Sequence, residues 1–128
     1  MQENLQAYKK EAAVVIQVLK QGGRWKPGKA DSHLEKRKTL GHLPPEMSVE
    51  EYNGLVQFVV QNVENQVYLY FFCSERSYAL RGEAGQAEWL VIASAEGVIE
   101  TAFPPDAMDD YLVKRGFVLL GTIREVGA

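Results

Sequence analysis

The chain has 128 residues, 46% apolar and 10% aromatic, with one cysteine and a formal net charge of −3. That length suits a single domain able to bury a core without a structural metal, and one cysteine excludes an internal disulfide framework or a cysteine-based zinc site. No apolar run approaches the ~20 residues that span a bilayer, and the N-terminus lacks the basic start, apolar block and cleavage site of a signal peptide, so a soluble protein in a reducing compartment is expected.

In chain order, Leu5, Tyr8, Ala12, Val15, Ile16 and Leu19 recur at helical steps, which predicts a helix over 3–20 ended by Gly22-Gly23. This N-terminal part, residues 1–22, either packs on the domain or serves as a connector. The segment RWKPGKAD is loop by its Pro27 and Gly28. Ser32 and Glu35 then form a capping box, S-x-x-E, opening a helix from His33 to about Leu40 that Gly41 and Pro44-Pro45 stop. Ser48 and Glu51 repeat the device, and the next helix buries Val49, Tyr52, Leu55, Val56, Val59 and Val63 at helical spacing.

After Asn62 the period becomes that of strands. QVYLYFFC, SYALR, AEWLVIAS and GVIETAF are separated by short turns, GEAGQ and AEG among them, which predicts an antiparallel meander. Cys73 falls in the first of these runs, where a small buried thiol is expected. Pro104-Pro105 ends the fourth strand, Asp106 caps a helix over AMDDYLVKR that Gly116 stops, and FVLLGTIREV is a fifth strand candidate weakened by Gly121. Helices first, then a four- or five-stranded antiparallel sheet with a C-terminal helix, is an α+β layout within one domain, 1–128.

No phosphate-binding glycine loop, HExxH or G-x-S-x-G occurs, and two histidines are few for a metal site, so no cofactor is expected. The informative feature is charge. Residues 20–42 carry seven Lys or Arg against Asp31 and Glu35, a local balance of +5 on a remainder of −8. A basic block on an acidic body focuses a positive field on one anionic partner. With Ser32 as N-cap, His33, Lys36 and Arg37 share one helix face, and His33 lies in the first turn, whose free N–H groups attract anions. A phosphate there meets a bidentate guanidinium, an ammonium and an imidazole able to exchange protons near neutral pH. These are the parts of metal-independent RNA cleavage, in which a ribose 2′-hydroxyl attacks the adjacent phosphorus. His42 is a candidate second proton carrier. Lys29 and Lys38 are candidate substrate contacts, as are the sheet-region cations Arg76 and Arg81. Trp25, between Arg24 and Lys26, either stacks on an unpaired base or folds back onto the domain.

Two stretches also carry a resemblance. GVIETAFPPD, a strand ending in T-x-F-x-P after a tryptophan-bearing strand, and DSHLEKRKTLGHLP, a basic helix and loop, resemble elements of the barnase, EndoU, colicin and RelE-like superfamily of bacterial toxin ribonuclease domains. The resemblance covers roughly residues 30–120. It implies His33 as general base or acid, Arg37 and Lys36 on the phosphate, and the Thr101 hydroxyl on a phosphate oxygen or the 2′-hydroxyl. It further implies tRNA or another structured RNA as substrate, cut to a 2′,3′-cyclic phosphate, and an acidic immunity or antitoxin protein as partner. Action would be in the cytoplasm, or in that of a target cell after delivery. Strand alternation sets Thr101 on a face with Ile99 and Phe103, opposite Val98, Glu100 and Ala102. The residues alone leave open a non-enzymatic interaction module whose basic segment binds an acidic protein or nucleic acid. Whether Thr101 and His33 face one space separates the two.

Overall fold

The computed structural model describes residues 2–128, with side chains from Leu5 onward. The elements are α1 (Gln2–Lys20), β1 (Arg24–Trp25), α2 (Lys29–Thr39), α3 (Val49–Gln61), β2 (Gln66–Phe72), β3 (Glu75–Ala84), β4 (Ala87–Ser94), β5 (Val98–Phe103), α4 (Met108–Lys114), β6 (Val118–Thr122) and α5 (Ile123–Val126). The fold is α+β. Its strands make one six-stranded sheet, β1-β5-β4-β3-β2-β6, antiparallel except for the short parallel pair of β1 with β5. Among the described residues no helix is long and apolar enough to cross a membrane.

Both faces of the sheet bury side chains, and β4 shows how. Trp89, Val91 and Ala93 join the main core with α1, α3 and α5, whereas Leu90 and Ile92 point the other way, into a smaller cluster with Tyr68, Ala79, Met108 and Leu112. A strand buried on both sides reads as the continuous apolar run AEWLVIAS rather than as an alternation. Helix α1 packs on the domain through Ala12, Val15, Ile16 and Leu19. Helix α3 starts at the Ser48–Glu51 capping box, with both reciprocal hydrogen bonds made (3.1 and 2.9 Å). Its Val56, Val59 and Val60 are fully buried, each contributing roughly 1.5–3 kcal/mol of burial.

Six local expectations are corrected. Helix α2 begins at Lys29, not His33: Gly28 is its N-cap with φ 76°, and the Ser32 hydroxyl donates to the Lys29 carbonyl inside the helix (3.3 Å). The reason is tertiary. The Lys26 amide bonds the Ile99 carbonyl (2.9 Å), which makes RW a strand instead of loop, and Pro27-Gly28 must turn the chain at once. The N-cap of α4 is Ala107, and Asp106 makes no capping bond. Cys73 is exposed rather than buried, because β2 stops at Phe72 and Cys73-Ser74 form the hairpin turn with φ 52° and 67°. The expected SYALR strand extends to Ala84, so that only Gly85-Gln86 of GEAGQ turn. The last candidate divides into β6 and the short α5, whose start is a Thr122–Glu125 capping box.

Candidate active site

A β-bulge decides what β5 presents. Thr101 pairs with Ile92 and Ile99 with Ala93, which leaves Glu100 as an extra residue opposite no partner. Such an insertion puts a strand out of phase with itself. Ile99 and Ala102 therefore both enter the main core, while Glu100, Thr101 and Phe103 share the other face. The expected grouping of Thr101 with Ile99, opposite Glu100, is thus reversed.

Helix α2 lies along this face of β5, and His33 meets Thr101, Oγ1 to Nδ1, at 3.3 Å. One helical turn on, Arg37 lies over the Phe103 ring, 5.5 Å from its centroid. The match is geometric: four residues of helix rise ~6 Å, and two residues of strand ~6.8 Å, so the contacts repeat in step. Beside them Glu100 accepts a hydrogen bond from the hydroxyl of buried Ser77 (3.1 Å). Ser77 was not singled out from sequence, and Glu100 was expected on the face away from Thr101, since nothing in GVIETAF marks the bulge.

The electrostatics are one-sided. His33 is pushed below the ordinary imidazole range, first by burial and then by Lys29, Arg37 and Lys36, with a hydrogen bond to the Glu100 backbone acting against them. His42 moves the same way through burial and Arg37, opposed by Asp106. Arg37 itself is only 4% exposed, its Nε has no hydrogen-bond partner, and among the described residues no carboxylate forms an ion pair with it. Burial lowers its pKa from the ordinary value. An unpaired buried cation costs several kcal/mol.

The remaining candidates separate. Lys29 and Lys36 are exposed on α2, close enough to act on His33. His33 and His42 flank Arg37 from opposite ends of α2, and the Nδ1 of His42 is buried without a partner. His33 does not occupy the first helical turn, so the free N–H groups expected around it lie a turn earlier. Lys38 turns to Glu35 (3.4 Å). Trp25 folds back: its indole N–H donates to Asn53, and its ring packs on Tyr52 at 5.3 Å and on His33 at 6.2 Å. It buttresses His33 from behind rather than offering a free stacking surface. Arg81 is committed to Glu88 and Asp109 (2.8 and 2.9 Å) and ties α4 to the sheet. Arg76 is on the opposite face, paired with Glu11 of α1. Among the described residues no three His, Cys, Asp or Glu side chains converge as metal ligands. No family model, curated protein or solved structure matches the chain.

Proposed function

We propose that the chain is a metal-independent endoribonuclease of the toxin type, acting on tRNA or another structured RNA. The observation that carries this reading is the contact of His33 with Thr101 from the sheet, beside the α2 cations Lys29, Lys36 and Arg37 and next to Glu100. If His33 Nδ1–H is shared between the Thr101 oxygen and the adjacent Glu100 carbonyl, Nε2 keeps a free lone pair. The neutral imidazole, favoured by its lowered pKa, then takes the proton of the ribose 2′-hydroxyl as that oxygen attacks phosphorus. Arg37 and Lys36 hold the charge that develops on the phosphorane. The P–O5′ bond breaks, and the leaving oxygen receives its proton from the cationic side, where the Lys36 ammonium is one turn from His33. The products are a 2′,3′-cyclic phosphate and a free 5′-hydroxyl. Thr101 acts in this scheme as a positioning residue for the imidazole.

The test is incubation with total tRNA in EDTA. Cleavage to 2′,3′-cyclic ends, abolished in His33→Ala and shifted in its pH profile in Thr101→Val, supports the proposal. RNA that is bound but intact under all conditions overturns it in favour of a binding module.

A further inference from the structure

Beyond His33, α2 and α4 face each other across the end of β5 and enclose a groove of about 580 Å³. We infer that this groove is a second phosphate subsite, which seats the backbone of a nucleotide adjoining the one at His33. The identity of the ligand as RNA rests on the ribonuclease reading; the anion site does not. Arg37 carries the argument, since it lines the groove while buried, with an unpartnered Nε and no ion pair to a carboxylate among the described residues. A guanidinium kept in that state has its partner outside the protein, and its five N–H donors let it bridge the phosphate at His33 and the one in the groove. The facing wall adds Lys114 and Arg115 at the end of α4, neither ion-paired among the described residues, and α2 adds Lys36. Arg115 is held 4.0 Å over the Tyr111 ring, so its guanidinium is pre-oriented rather than loose. Asp106 and Asp110 also line the groove, leaving four cations against two carboxylates.

The floor is apolar and already covered. Phe103 and Tyr111 meet edge to face at 5.3 Å, and each carries a guanidinium over its ring, Arg37 on Phe103 and Arg115 on Tyr111. The groove therefore offers a strand its basic rims, along which phosphates run, rather than open stacking faces. Because Phe103 follows Thr101 by two residues, the subsite sits about one strand repeat of ~6.8 Å from the His33 contact.

The probe is a short single-stranded 2′-deoxyoligonucleotide, which has no 2′-hydroxyl to react, titrated against wild type and a Lys114→Ala/Arg115→Ala double variant over a salt series. Both positions are exposed, Lys114 ending α4 and Arg115 capping it. The expected result is weaker binding in the variant and a log K against log salt slope reduced by about 0.7 for each lost phosphate contact, together with a raised KM for RNA. An unchanged slope overturns the subsite. So does an equal reduction in Lys9→Ala/Lys10→Ala on α1, which would report general charge alone. Displacement by polyglutamate without binding of the oligonucleotide overturns it in favour of an acidic protein partner. The two readings fail separately. Salt-dependent binding through Lys114 and Arg115 with no cleavage of RNA removes the ribonuclease and keeps the subsite; cleavage indifferent to both residues does the reverse.

Discussion

At the residue scale Arg37 is the side chain that packing does not justify. It lies under the surface over Phe103, and among the described residues no carboxylate pairs with it. A methionine would keep most of its volume and remove the desolvation cost. Arg37→Met is therefore expected to raise the unfolding free energy by about 1–3 kcal/mol, while lowering kcat on RNA roughly 10²-fold. Urea unfolding and single-turnover cleavage read the two effects; a clear loss of stability would mean that the guanidinium is structural. His33 is different, since its environment is built for it: Trp25 behind, Thr101 in front, and Tyr52 beneath Trp25 with its hydroxyl on the Ala102 carbonyl (2.5 Å).

At the element scale the turns hold most of the surprises. The β2–β3 hairpin closes on Cys73-Ser74, both in the left-handed region, which is the geometry of a type I′ turn. Neither residue suits it. Cys73→Asn/Ser74→Gly should stabilise the protein by about 1 kcal/mol, seen as a higher urea midpoint with an unchanged slope; no gain would show that the turn carries no strain. The same hairpin shows why parts of the fold were hard to read. QVYLYFFC looks like unbroken strand because Phe71 and Phe72 stay apolar after burial has ended: they are 49% and 65% exposed. Ser48–Glu51 was legible because a capping box is local chemistry, satisfied by its own backbone. Ser32–Glu35 has the same spelling and is overruled by the hydrogen bond of Lys26 to Ile99, a partner more than seventy residues away. The candidate site divides likewise. His33, Lys36 and Arg37 follow from helical spacing, whereas Glu100 and Ser77 depend on a bulge that period-two reading places on the wrong face.

For the whole molecule, the direction of the pKa shifts sets a stability profile. His33, His42, Glu11 and Glu51 all have folded pKa values below their ordinary ones, so the unfolded chain binds their protons more tightly. Their contribution is complete above the unfolded pKa and is lost as pH falls through the folded one. For the histidines the loss starts below about 6.5, and for the carboxylates below their ordinary value of 4.5. Tyr52, raised to about 12, and Tyr78 and Tyr111, also raised, act in the opposite sense and weaken the fold above about 10. Urea midpoints should therefore hold a plateau between these limits and fall in two acid steps, the first flattened in a His33→Gln/His42→Gln variant; a plateau reaching down to the carboxylate step in wild type would contradict the histidine environments described above. The indole of Trp25 has a last consequence. It lies against the His33 ring, and the other tryptophan, Trp89, is enclosed in the core. An imidazolium quenches an adjacent indole where a neutral ring does not. In a Trp89→Phe protein the emission would thus brighten and dim with one proton, so that the protonation of His33 can be watched optically, without RNA and without turnover.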